Sequence, residues 1–101
     1  MTVEIDLSEE ELKETVEELD LDRILYERGK VHGDYLAHAY YTQQIKDILH
    51  SSQNFDRMKS HQRETLEMIA HKIGRILAGD PNHRDHWADI AGYAKLTADR
   101  L

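Results

Sequence analysis

The chain has 101 residues, 33% of them charged, with 20 acids against 13 bases and no cysteine. That length predicts a single domain. Lack of cysteine excludes a disulfide framework and any thiolate-held metal, and fits a cytoplasmic address. No apolar run approaches the ~18 residues of a membrane span, and no membrane partner is expected. The opening "MTVEIDLSEEELKE" is acidic without an apolar centre and does not read as a signal peptide.

The net charge of -7 is unevenly spread. Residues 1–22 hold ten acids and one base, Lys13, whereas residues 23–101 hold ten acids and twelve bases. Residues 1–22 are therefore read as an acidic N-terminal helix and residues 23–101 as a helical bundle, within one domain overall. The acidic helix is either a solvated face or a surface that mimics nucleic acid or covers a basic partner. The body, slightly basic, is open to an anionic ligand.

One proline and five glycines in a chain with few β-branched runs predict an all-α protein, a compact bundle of four to five helices. Ser8 and Glu11 form a capping box, Leu7 and Leu12 a hydrophobic staple, and Glu9 and Lys13 an i,i+4 pair, which start a helix over residues 9–19. Leu12, Val16 and Leu19 make its apolar stripe. A segment over 21–28, with Leu21, Ile24 and Leu25 inward, either follows an Asp20 cap or continues that helix, and Gly29 stops it. Residues 29–35, "GKVHGDY", read as a loop. A helix over 35–51 carries Ala37, Tyr40, Tyr41, Gln44, Ile45, Ile48 and Leu49. "SSQNFD" breaks it, and Ser60 caps a helix over 61–78 with Leu66, Ile69, Ala70, Ile73, Ile76 and Leu77 as its stripe. Gly79 ends that helix, and Asp80-Pro81-Asn82 is a turn. The last helix covers 83–99, with Trp87, Ile90, Ala91, Ala94 and Ala98 on the predicted core face.

Asp85, Asp89, Gly92 and Leu96 fall on the opposite face of that last helix. A mid-helix glycine costs about 1 kcal/mol relative to alanine, so Gly92 suggests a close approach by a helix or a ligand. On the preceding helix Glu64, Glu67 and His71 share a flank, with Gly74 one turn on. An antiparallel hairpin could bring Glu64, Glu67, Asp85 and Asp89 together as an oxygen-rich site for Mg²⁺ or Mn²⁺, with Glu64 and Glu67 in the catalytic role. Lys72 and Arg75 are the candidate phosphate-binding residues. The alternative leaves Glu64 paired with Arg63 or Lys59 at the surface and Asp85 at the positive end of the helix dipole.

Seven histidines are many for this length, but no two stand four apart on one helix, so a histidine zinc site is not expected. His32 with Asp34 either contacts a ligand or stabilises the loop. His71 is a ligand contact or a partly buried hydrogen-bonder. Tyr93, like Tyr40 and Tyr41, either stacks on a base or packs in the bundle. Arg57, Lys59, His61 and Arg63 form a basic patch without a nucleic-acid reader motif, and nucleic acid is not the expected partner.

The strings "RGKVHGDYLAHA" (28–39) and "QRETLEMIAHKIGRILAGDPNHRDHWADIAGYAKL" (62–96) resemble a family of small phage and prophage proteins. That resemblance covers about residues 25–97 and leaves the acidic helix outside. In helical pattern the chain is also similar to all-α nucleotide pyrophosphohydrolases of the MazG type. These hold Mg²⁺ with an ExxE pair on one helix and an ExxD pair on the next. Glu64 and Glu67 match the first pair; Asp89 matches the last position of the second, where the residue three before it is His86 and Asp85 stands four before.

The resemblance implies a MazG-like fold, a homo-oligomer (a dimer), a bacterial host's cytoplasm, and a metal-dependent nucleotide-binding or pyrophosphohydrolase-like function. Two other functions stay open: a non-catalytic protein that binds and inhibits a host defence factor, and a nucleotide sponge.

Overall fold

The computed structural model describes the backbone from Glu9 to Leu101 and the side chains from Asp20 onward. Five helices follow in chain order: α1 (Glu9–His32), α2 (Tyr35–His50), α3 (Gln53–Arg57), α4 (Ser60–Ala78) and α5 (Arg84–Ala98). Among the described residues there is no strand, so the chain is all-α. No helix among them is long and apolar enough to cross a membrane. The capping box at Ser8 and Glu11, the Leu7–Leu12 staple, the Glu9–Lys13 pair and the Leu12–Leu19 stripe lie outside the described side chains.

The first correction is at Gly29, which does not stop the helix. Glycine lowers helix propensity but forbids nothing, and α1 runs on to His32. What ends it is Gly33, at φ 82°, whose N–H donates to the Gly29 carbonyl at 2.8 Å. That single bond from a left-handed residue back to the last turn is the αL helix stop. Asp34 then caps α2, its side chain accepting from the Ala37 N–H at 3.3 Å. The 35–51 helix appears one residue shorter than expected. "SSQNFD", expected as a plain break, contains α3, which buries Phe55.

α4 starts at Ser60 itself, with Lys59 in the cap position. Gln62 supplies the side-chain bond there, accepting from the Lys59 N–H at 2.8 Å. The turn after α4 forms as predicted, Asp80 accepting from the Asn82 N–H at 2.9 Å.

α4 is the centre of the packed body, with α2 on one side and α5 on the other. The α2–α4 crossing is close because Gly74 has no side chain. A Cβ there would stand 2.1 Å from the Thr42 hydroxyl and 3.1 Å from the His38 carbonyl. The buried positions of α2 are accordingly His38 and Thr42, while Tyr40, Tyr41, Gln44 and Ile48, expected on the helix's apolar set, are exposed. On α4 only Ala70 of the expected stripe is fully buried, and Leu77 is exposed.

α5 presents a different face from the one predicted. His86 is buried, and Ile90, Tyr93 and Thr97 follow it inward at i+4, i+7 and i+11. Trp87, Ala91, Ala94 and Ala98 face solvent, and the Trp87 indole donates to the Pro81 carbonyl at 2.8 Å. The opposite end of the α4–α5 pair is held by hydroxyls: Thr65 and Thr97 are 2.7 Å apart.

Candidate functional site

Gly33 and Gly79 build the corner where chemistry gathers. A Cβ on Gly33 would lie 2.1 Å from the Ala78 carbonyl, and one on Gly79 would lie 2.4 Å from the Val31 carbonyl. The missing side chains let the end of α1 abut the end of α4, and the Asp80 N–H donates to the Val31 carbonyl at 2.9 Å. This contact sets His32, from α1, against His83 and His86, from the start of α5. His32 Nδ1 is 3.1 Å from His86 Nε2. The His83 ring lies 4.8 Å from the His86 ring and 6.1 Å from the His32 ring, edge to face with both.

The His32 and His86 imidazoles are held neutral. Burial, then the charge of Arg75, lowers His32 from 6.5 to about 4. Burial also lowers His86, helped by His83, Lys72 and Arg75. His38 and His71 move the same way for the same leading reason, with Arg75 and Lys46 contributing. A neutral ring offers one donor and one acceptor. His32 Nδ1 and His86 Nε2 share one proton, one donating and the other accepting. That leaves His32 Nε2 as a second ring nitrogen able to hydrogen-bond.

His32 lines a cleft of about 620 Å³ together with Leu25, Arg28, Asp34, Tyr35 and Arg75. That volume is in the range of small-molecule sites. Its cations are uncompensated: among the described residues neither Arg28 nor Arg75 forms an ion pair with a carboxylate. Asp34, the cleft's one carboxylate, is occupied as the α2 cap. Arg75 is partly buried, where an unpaired cation is costly and an incoming anion is correspondingly favoured.

Of the sequence-predicted ligand contacts, His32, Asp34 and Arg75 come together in this cleft. The others do not join them. Lys72, 9% exposed, donates to Asp89 at 2.7 Å, and this bond holds the Asp89 carboxyl below its usual range. His71 accepts from Lys46 at 3.2 Å, facing α2. Tyr93 lines a smaller hollow between α4 and α5 with His61, Glu64 and Thr65.

The four candidate metal ligands are likewise separated. Glu67 accepts from His50 at 2.9 Å on the α2 side, in a shallow pocket that Glu64 shares. Asp85 sits in the first turn of α5, 3.7 Å from His83, with its side chain 78% exposed. Among the described residues no three His, Asp or Glu side chains group to hold a metal ion. Beside Asp89 the ammonium of Lys72 takes the place a divalent cation would need. Within one chain these residues do not fit a single ion.

Gly92, expected at a close approach, has nothing within 4 Å of where a Cβ would stand. The residues that the sequence reading missed are Arg28, Tyr35, His38 and His86. Arg28 and His32 are one turn apart, a signal visible only once the helix is carried through Gly29. Scanned against protein-family models, curated proteins and solved structures, the chain matches none.

Proposed function

We propose that the protein binds a phosphorylated small molecule of the nucleotide class in the cleft between α1, α2 and α4. The observation that carries this reading is Arg75: a partly buried guanidinium, without a carboxylate partner among the described residues, ringed by imidazoles kept neutral. Arg28 faces the same cleft, so two cations are available to phosphate oxygens. Leu25 and the Tyr35 ring supply the apolar and aromatic surface that a base or sugar needs. His32 offers a ring nitrogen to hydrogen-bond a polar group of the ligand. The similarity in helical pattern to MazG-type pyrophosphohydrolases supports the same ligand class.

Isothermal titration with a panel of deoxynucleoside triphosphates, with and without Mn²⁺, tests the reading. One or more should bind, and Arg75→Met should weaken binding by about tenfold or more, the worth of one charge-assisted contact. Unchanged affinity in Arg75→Met, or no binding by any nucleotide, would overturn it. The Mn²⁺ arm separates the two forms of the proposal. Release of pyrophosphate that requires the metal and Glu67 would make the protein a pyrophosphohydrolase. Ligand bound and unhydrolysed would make it a nucleotide sponge.

A further inference from the structure

The charges on the wall of the cleft bear on how many phosphates it takes. Its ionised lining residues are Arg28, Arg75 and Asp34. His32 and His38, also on the wall, are kept neutral by burial and add no charge. Lys72, one turn before Arg75 on α4, is spent on Asp89 at 2.7 Å. With two guanidinium groups against one carboxylate, the wall carries one net positive charge. Neither arginine has a carboxylate partner among the described residues.

A phosphate monoester carries about two negative charges at pH 7, which brings such a wall to within about one charge of neutrality. A triphosphate carries roughly two more, and proteins hold that charge through a divalent cation as well as their own side chains. None of Glu64, Glu67, Asp85 and Asp89, the carboxylates that could hold such a cation, lies on the cleft wall. The rest of the wall suits a nucleoside. Tyr35 is 75% exposed, its ring 6.2 Å from that of His38 and tilted 57° to it. Leu25, expected to point inward with Leu21 and Ile24, is exposed as they are, and it lines the cleft from α1. An exposed aromatic ring and an exposed aliphatic side chain in one cleft both gain by exchanging water for a base.

We propose that the ligand of this cleft is a nucleoside monophosphate, bound as its phosphate dianion by Arg28 and Arg75 with no metal ion between. The inference rests on the nucleotide reading and narrows it. A guanidinium presents parallel N–H donors, and the end of a phosphate monoester presents three oxygens to receive them, so both arginines can serve one phosphate. The outer phosphates of a triphosphate would find no third unpaired cation on the wall.

Calorimetric titration of the full chain in EDTA tests this. The ligands are the deoxynucleoside and ribonucleoside monophosphates, the parent nucleosides, the triphosphates, and the methyl esters of the monophosphates, whose phosphate keeps a single charge. At least one monophosphate should bind. Its nucleoside and its methyl ester should each bind about tenfold or more weakly, and its triphosphate should bind no tighter. Arg28→Met should remove most of the advantage of the monophosphate over the nucleoside; Arg28 is exposed, so the substitution spares the fold. Four results would each overturn the proposal and leave the nucleotide reading in place: monophosphate binding that appears only with Mn²⁺, a triphosphate that binds tighter than its monophosphate in EDTA, a methyl ester as tight as the monophosphate, or no effect of Arg28→Met. Absence of binding by every nucleotide, with and without Mn²⁺, would overturn both.

Discussion

The two ends of the α4–α5 pair solve the same packing problem with opposite chemistry. At one end Thr65 and Thr97 meet through neutral hydroxyls 2.7 Å apart, and the nearby carboxylates, Glu64 and Glu67, stay toward the surface. At the other end His32, His86, Lys72 and Arg75 crowd together, with Asp89 as the counter-charge to Lys72. The first end is joined by uncharged groups. The second holds an excess of positive charge and keeps its imidazoles neutral to limit it. A helix pair that only needed to stay folded could use the first solution twice. That difference is the reason for proposing a ligand at the cationic end.

Four measurements can break or sharpen this contrast. The largest effect should come from Gly33→Ala, which forces a side chain into φ 82° and against the Ala78 carbonyl. It should cost about 3 kcal/mol or more, read as a lower urea midpoint. An effect below about 1 kcal/mol would mean that the corner is not tightly closed.

Acid should come next. His32 falls from 6.5 to about 4 on folding, and His38, His71 and His86 shift the same way. Between those limits the unfolded chain binds protons that the folded chain refuses. Stability should therefore decline as pH falls from about 6.5 to about 4 and flatten with respect to His32 below that. A flat stability profile across this window would remove the buried-imidazole account.

Asp89→Asn should be next, because it leaves the buried Lys72 ammonium without its partner. The loss should exceed that of Lys72→Met, where the stranded carboxylate is half-exposed and can hydrate. Equal losses would show that the pair is a surface contact. The smallest effect belongs to Gly92→Ala, which should raise stability by about 0.5–1 kcal/mol because none of the described residues approaches that position. A loss there would reveal a close neighbour from another molecule.

The sequence made the helices legible where periodicity and stop signals agreed. The segments at 35–51, 61–78 and 83–99 each appear within a residue or two of their observed bounds. It misled at Gly29, where a stop signal lacked the left-handed conformation that gives it force, and that conformation turned up at Gly33 instead. It misled again on α5, where Trp87 and three alanines outweighed His86 in hydrophobicity. The true inward face is polar at both ends, and His86 is buried only because His32, 54 positions earlier, meets it. Of the candidate site, Arg75, His32 and Asp34 could be proposed from their motifs. Their company could not, because Arg28, His38 and Tyr35 reach the cleft only through the Gly33–Gly79 abutment.

That abutment also decides where the protein can be cut or lengthened. With bare backbone pressed against bare backbone, the turns at 33–34 and 79–83 act as one fastening, and extra residues in either would pry open both. The exposed link at Ser51 and Ser52 carries no such duty. A tag or a new chain start introduced there should be accepted by the same bundle that would reject it at the glycine corner.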